Sequence, residues 1–318
     1  VLSTHETSQK GIRGLAEIAS GKTRQRQEER LKQLHQLLIE PIADLLPSDP
    51  NARVIFIPQE ELFLVPFPAL QDESGKHLIK KHTILTAPSI QVLELTRQQR
   101  QKLGSWESGV ANGEYIVVGN PTMPKVAPTP GESPEPLEPL PGAEEEATEI
   151  ASLLNTQAII GSQATETAIV EQMSKARLIH LATHGLLNNL YNADIPGAIA
   201  LAPSSKDDGL LTASEILNLK LNAELVVLSA CNTGQGRITS DGVIGLSRSL
   251  FTAGVPSVIA SLWKVPDEPT AFLMKNFYKN LRKKPDKAQA LRQAMLTTMN
   301  EYPHPKNWAA FTLIGEAE

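Results

Sequence analysis

The chain contains one cysteine, Cys231, and a histidine, His184, that each lie at the end of a short apolar run. Cys231 comes directly after 224-ELVVLSA-230, and His184 closes 177-RLIHLATH-184. A thiolate is a strong nucleophile, and a nearby imidazole can accept the thiol proton and return it to the leaving amine. Ligand sites of open parallel sheets gather outside the carboxyl ends of the strands. The sequence therefore predicts a Cys-His dyad at one edge of such a sheet.

Small residues beside this dyad suit the stabilisation of a developing negative charge. Gly185 lets a substrate carbonyl approach the backbone, and the amides of Gly185 and Cys231 are predicted to form an oxyanion hole. Taken alone, Cys231 is equally compatible with an inert cysteine buried in a core strand. Its pairing with the His-Gly motif favours the nucleophilic interpretation.

His180 and His184 form an HxxxH pattern, which also suggests a metal site. On a strand, residues four apart are separated by roughly 13 Å, so the two histidines cannot bind one zinc ion. We expect His180 to be a hydrogen-bonded core histidine. The sequence contains neither a GxSxG elbow nor a GxxxxGK[ST] phosphate loop. It therefore predicts no metal site and no cofactor.

The second half of the chain alternates apolar strand-like runs with helical patterns, which is typical of a mostly parallel sheet flanked by helices. About six strands are predicted, at 114–119, 157–161, 177–184, 224–230, 256–263 and 309–315. Helices are predicted between them, near 142–154, 164–174, 212–218, 241–253, 267–283 and 286–300. The fold class is α/β, and this region, 113–318, is the predicted catalytic domain.

Residues 1–112 are predicted to form an N-terminal α/β subdomain packed against that sheet. Its expected elements are a helix over 24–46, a hairpin of 53–58 and 61–67, and a strand over 82–88. The segment 120–142 holds eight prolines and is expected to be an exposed, mobile loop. It is either a tolerated surface insertion or a cleavable regulatory segment.

Composition narrows the class of protein. The chain has 318 residues, 20% of them charged, with a net charge of -5, which does not favour a nucleic-acid partner. The apolar stretch 249–263 is too short to cross a bilayer, so no membrane association is expected. A single cysteine forms no intrachain disulfide, and this fits a reducing compartment such as the cytoplasm.

Together, these motifs resemble the CHAT domain, a caspase-like module associated with tetratricopeptide repeats and related to separase. The matching runs are 179-IHLATHG-185, 209-GLLTASEI-216, 225-LVVLSACNTG-234, 241-DGVIGLSRSLFTAGVPSVIASLW-263 and 308-WAAFTLIG-315. The resemblance implies a caspase-like sheet, with Cys231 as nucleophile, His184 as base, and the Gly185 and Cys231 amides as oxyanion site. It also implies that tetratricopeptide repeats precede residue 1, or that a regulatory partner binds.

Substrate preference is harder to infer. Ser229 occupies the position two before the nucleophile, where caspases carry glutamine and Arg/Lys-cleaving relatives often carry aspartate. In the loop 263-WKVPDE-268, Trp263 is predicted to wall a side-chain pocket and Asp267 to select a basic residue. The alternative for Asp267 is a helix N-cap, since Pro269 and a predicted helix follow.

The sequence thus predicts a cysteine endopeptidase that cleaves protein substrates through a thioester intermediate. A caspase-like scaffold that binds partner proteins without cutting them has the same motifs. A thiol acyltransferase or small-amide hydrolase would use the same dyad.

Overall fold

The computed structural model describes residues 24–104, 114–127, 132–186, 197–229 and 240–318. The described strands of the main sheet are β1 (Arg53–Phe56), β2 (Thr83–Thr86), β3 (Glu114–Pro121), β6 (Ala158–Gly161), β7 (Ala176–Ala182), β11 (Leu225–Leu228), β12 (Ser257–Ser261) and β13 (Phe311–Gly315). They form one eight-stranded sheet in the order β1-β2-β13-β12-β11-β7-β3-β6. All neighbouring pairs are parallel except β12 and β13.

Smaller strands lie beside this sheet. They are β4 (Lys125–Val126) paired with β5 (Glu135–Pro136), and β8 (Gly185–Leu186), β9 (Ala198–Ala200) and β10 (Leu210–Thr212) in a second sheet. The described α-helices are α1 (Arg24–Leu38), α2 (Ile90–Lys102), α3 (Pro141–Leu154), α4 (Glu166–Met173), α5 (Ala213–Leu217), α6 (Ser240–Ala253), α7 (Asp267–Lys283) and α8 (Lys287–Glu301).

Helices cover both faces of the main sheet, which explains why its central strands β7, β11 and β12 are buried at nearly every position. Every residue of β11 is buried, and alternate residues enter different cores. Helices α1, α3, α7 and α8 pack on one face, and α4, α5 and α6 pack on the other. Within the described residues, no helix has both the length and the apolar character needed to cross a membrane.

All six strands predicted for the second half occur, and β1 and β2 extend the same sheet from the first part of the chain. The predicted hairpin is wrong. Strand β1 pairs in parallel with β2, and Glu60–Leu64 forms a 3-10 helix. Pro66 and Pro68 follow this helix and have no N–H for a strand ladder. The division at residue 112 stays a prediction and falls outside the described residues.

The first helix is shorter than predicted. It ends at Leu38, and Glu40–Leu45 continues as a 3-10 helix. Pro41 explains the change, because proline has no N–H to donate and its ring clashes with the preceding helical turn.

The proline-rich segment contains two short paired strands and two buried side chains, which the sequence did not predict. Its strands β4 and β5 pair as an antiparallel ribbon, while residues 128–131 between them lie outside the described part. Val126 and Leu137 are buried in a small cluster with Leu186, Ala198, Ala200 and Leu210. Most described residues of 132–142 are exposed, as expected of a surface loop, but these two buried apolar side chains hold the ribbon against the second sheet.

Candidate active site

His184 lies two residues after β7, at the carboxyl end of a central strand. Its side chain is 1% exposed, and Nε2 lies 2.6 Å from the backbone carbonyl oxygen of Glu138. A carbonyl oxygen only accepts hydrogen bonds, so Nε2 carries the proton in this contact. In a neutral imidazole, Nδ1 is then the basic nitrogen.

Gly185 begins β8 and pairs with Ile199 of β9. The amide of Ala200 donates to the carbonyl oxygen of His184, at 2.9 Å. Antiparallel ladders alternate between hydrogen-bonded and non-hydrogen-bonded pairs, so Gly185 and Ile199 form a non-hydrogen-bonded pair. The Gly185 amide therefore points away from β9 and is not used in the ladder.

Cys231 lies outside the described residues, as does the segment 230–239 around it. The strand that precedes it, β11, is the direct neighbour of β7. Ser229 follows β11 immediately and is 4% exposed. Its Oγ makes no hydrogen bond to any residue in the described part of the chain.

Trp263 and Asp267 lie after β12, which is the other neighbour of β11. The Trp263 ring is half-buried against the main core, and its Nε1 donates to the carbonyl oxygen of Lys306 at 2.9 Å. Asp267 is the first residue of α7, and Pro266 occupies the N-cap position. The capping alternative for Asp267 is therefore wrong, because the helix begins one residue earlier than that role requires.

The Asp267 side chain lies against the start of α3. A side-chain carbon added to Gly142 would come within 2.3 Å of the Asp267 carboxylate, so only glycine permits this approach. Asp267 also lines an open cavity of about 540 Å³ between α3 and α7, together with Glu145, Glu268 and Tyr302.

His180 is a core residue, as predicted, with 0% exposure. Its Nδ1 lies 3.0 Å from the Tyr278 hydroxyl of α7. Its Nε2 lies 3.1 Å from Oε1 of Glu146 on α3, although the angle falls short of hydrogen-bond geometry. Burial, with a smaller contribution from the Glu146 charge, raises the pKa of Tyr278 well above its ordinary value. The hydroxyl therefore stays protonated and can donate to His180.

Glu138 is the site residue that sequence reasoning missed. It contributes a main-chain carbonyl, which any residue type supplies, and it lies 46 positions from His184. Its place within the proline-rich segment 120–142 was the available signal. Among the described residues, no group of acidic, histidine or cysteine side chains is arranged to bind a metal ion.

The amino-acid sequence is similar to those of two tetratricopeptide repeat proteins. The chain is 29% identical to human tetratricopeptide repeat protein 28 and 28% identical to the mouse protein, over 90% of its length in each case. It spans only 13% of the length of either relative. These relatives connect the chain with tetratricopeptide repeat proteins.

Among solved structures, the chain is similar to the Arg-specific cysteine proteinase gingipain R, with a TM-score of 0.53 and 12% identity. The match covers 95% of this chain and 69% of the proteinase. At that identity the likeness concerns the fold, and it confirms the predicted caspase-like α/β class. The CHAT domain family model matches residues 28–316, nearly the whole chain. The chain belongs to the CHAT domain family.

Proposed function

We propose that the chain is a cysteine endopeptidase in which Cys231 and His184 form the catalytic dyad. The thiolate of Cys231 attacks the scissile carbonyl carbon, and the C–N bond breaks as imidazolium gives its proton to the leaving amine. The resulting thioester is hydrolysed by a water molecule, whose proton passes to His184 before the thiol is restored. Both products are peptides.

The single observation that carries this proposal is the register of β7 and β11. Leu225 lies opposite Leu178, and Leu228 lies opposite Leu181, so each pair differs by 47 positions. Cys231 and His184 are separated by the same 47 positions. A parallel register that continued beyond Leu228 would bring the thiol and the imidazole face to face.

The hydrogen bond to Glu138 supports His184 as the base. Because Nε2 carries the proton, Nδ1 is the nitrogen that accepts the thiol proton. The carbonyl of Glu138 then stabilises the imidazolium that forms, since it accepts a charge-assisted hydrogen bond.

The oxyanion site is proposed to comprise the backbone amides of Gly185 and Cys231. The support is that the Gly185 amide points away from β9 and is left unused by the β8–β9 ladder. Two such donors stabilise the tetrahedral intermediate, and loss of one typically costs about 3 kcal/mol of barrier.

Ser229, Trp263 and Asp267 are the proposed substrate-binding residues. They follow β11 and β12, which lie side by side, so they border the same sheet edge as His184. The exposed Asp267 carboxylate would select a basic substrate side chain by charge pairing. The substrate is proposed to be a protein.

The proposed regulatory partner is a tetratricopeptide repeat array, in the same polypeptide or in another. The support is the similarity to tetratricopeptide repeat protein 28 over 90% of this chain. We expect the array to restrain cleavage. The cytoplasm is the proposed compartment, and it rests on the single cysteine.

The decisive experiment compares the wild type with Cys231→Ala and His184→Gln on a proteome-derived peptide library. Glutamine at position 184 retains an N–H that can donate to Glu138 but has no basic nitrogen. Cleavage should disappear in Cys231→Ala and fall by at least about a hundredfold in His184→Gln. Equal cleavage by all three proteins contradicts the proposal.

A non-catalytic scaffold is the competing function, and the 1% exposure of His184 is the observation that favours it. A scaffold has no need of an activated thiol, so a peptidyl electrophile would label Cys231 only in an enzyme. Mass spectrometry of the products separates an endopeptidase from an acyltransferase or small-amide hydrolase.

A further inference from the structure

Asn120 lies at the end of β3 and makes two hydrogen bonds through its side-chain amide. Oδ1 accepts from the backbone N–H of Leu140 at 2.7 Å, and Nδ2 donates to Oε2 of Glu144 at 2.9 Å. Its backbone has a φ of 45°, a left-handed conformation that asparagine tolerates better than most side chains. The residue with this backbone conformation is thus the one whose side-chain amide contacts the start of α3.

The segment that Asn120 binds is the one that contacts His184. Leu140 is the N-cap residue of α3 and makes no side-chain cap of its own. Asn120 instead binds this turn from a neighbouring strand. Leu140 is two residues from Glu138, and Pro139 restricts the backbone between them. The hydrogen bond between Asn120 and Leu140 therefore holds the chain two residues from the Glu138 carbonyl.

The strand register places this contact close to His184. Gly119 lies opposite Ala182 in the parallel pair of β3 and β7. Asn120 is one residue beyond Gly119, and His184 is two residues beyond Ala182. Both side chains thus belong to the carboxyl ends of adjacent strands, and the segment 138–140 connects them.

We propose that Asn120 is a positioning residue of the active site, which fixes the Glu138 carbonyl and thereby the Nε2-protonated tautomer of His184. The inference rests on the proposed Cys-His dyad and names a residue that acts on it through His184. The side-chain amide of Asn120 binds Leu140 and Glu144, whereas the imidazole binds the Glu138 carbonyl, so Asn120 acts on His184 through the segment 138–140.

The neutral amide is essential to this role, because it supplies one acceptor and one donor at the same time. Aspartate at position 120 would keep the acceptor for Leu140. It would lose the donor to Glu144 and would bring two carboxylates within about 3 Å, which repel each other. Glycine would keep the left-handed backbone and remove both hydrogen bonds.

The test follows alkylation of Cys231 by iodoacetamide between pH 5 and 10. Cys231 is the only cysteine, so the rate reports on one thiol. Asn120→Gly and Asn120→Asp should each lower the rate at pH 7 by about three- to tenfold. The inflection should move towards the ordinary thiol value of about 8.5. The control Glu135→Gln, an exposed carboxylate on β5 of the same proline-rich segment, should leave the profile unchanged.

A rescue variant separates positioning from a general loss of packing. In Asn120→Asp combined with Glu144→Gln, the new amide at position 144 can donate to the new carboxylate at position 120. The double variant should recover most of the wild-type rate and inflection. A purely structural role would lower the melting temperature without moving the inflection.

The outcomes also distinguish the two proposals. An activated thiol in the wild type, with an inflection that neither Asn120 variant moves, overturns the positioning role alone. An ordinary thiol in the wild type overturns the dyad, and the positioning role with it. A double variant that stays as impaired as Asn120→Asp contradicts the hydrogen-bond basis of the inference.

Discussion

Nδ1 of His180 lies 3.0 Å from the hydroxyl oxygen of Tyr278, and neither side chain is exposed to solvent. This contact connects α7 to the central strand β7. Because the same imidazole approaches Glu146 of α3, one buried ring connects two helices to the sheet. Both helices begin at the sheet edge where the proposed active site lies.

Tyr278→Phe should destabilise the fold, since it leaves Nδ1 of a fully buried histidine without its hydrogen-bond partner. An unsatisfied buried polar group typically costs about 1 to 3 kcal/mol. Urea unfolding followed by circular dichroism measures the change as a lower midpoint. Tyr302→Phe is the matched control, because its hydroxyl contacts Glu268 at the surface. Equal midpoints for wild type and Tyr278→Phe would contradict the prediction.

The central sheet could be predicted from sequence because its strands are short, continuous apolar runs separated by helical patterns. Position along the chain was enough to place His184 at a strand end. The pairing of β1 was not predictable in this way. Its partner β2 begins with Thr83 opposite Arg53, after three intervening 3-10 helices, and a local apolar pattern carries no information about so distant a neighbour.

The electrostatic surroundings of the candidate base were also beyond the sequence. The residue type of a histidine indicates a possible base. The role of the Glu138 carbonyl cannot be inferred in this way, because every residue has a main-chain carbonyl. Asn120 looked like one polar residue at the start of a proline-rich segment. Its contacts with Leu140 and Glu144 exist only because α3 packs back onto the end of β3.

Gly119→Ala should be strongly destabilising, because α3 passes directly over this position. The added carbon would lie 2.4 Å from Cβ of Ala147 and 2.5 Å from the carbonyl oxygen of Ala143. Neither atom can move without the helix, so overpacking should cost about 2 to 3 kcal/mol. The measurement is the free energy of unfolding in urea.

A second glycine gives the control for that experiment. Gly75 has a φ of 80°, and no atom lies within 4 Å of the carbon that alanine would add. Gly75→Ala should therefore cost roughly 1 kcal/mol of backbone strain alone. If Gly119→Ala costs no more than Gly75→Ala, the close approach of α3 is not a constraint on the fold.

Glu166→Gln should change how stability depends on pH. Burial, reinforced by the charges of Glu215, Asp207 and Asp208, raises the pKa of Glu166 from 4.5 to about 7. Between these two pH values, Glu166 is protonated in the folded state and ionised in the unfolded state. The free energy of unfolding should fall as pH rises from about 4.5 to about 7, and it should stay low above that range.

Glutamine removes this proton linkage and can donate to the neighbouring carboxylates. The variant should match the wild type near pH 4.5 and exceed its stability by on the order of 1 kcal/mol at pH 8. Urea midpoints at five pH values between 4.5 and 8 measure the difference. Glu171 is exposed on the same helix, so the urea midpoint of Glu171→Gln should depend on pH in the same way as that of the wild type. A wild-type curve that rises with pH while the Glu166→Gln curve matches it would refute the assignment.

Lys287→Met should stabilise the protein near neutral pH. Lys287 is 1% exposed, and burial, with a smaller effect of Arg100, lowers its pKa from 10.5 to about 7. Between those values the unfolded state binds the proton more readily than the folded state. Wild-type stability should therefore rise with pH from about 7 to about 10.5, and the cost of burying the charged ammonium is fully present below pH 7.

Methionine fills a similar volume without a charge. The Lys287→Met variant should therefore gain about 1 to 3 kcal/mol at pH 7 and lose the rise of stability with pH above that value. Lys283→Met, exposed at the end of α7, should keep the wild-type slope. A Lys287→Met protein less stable than wild type at pH 7 would mean that contacts of the ammonium outweigh its desolvation.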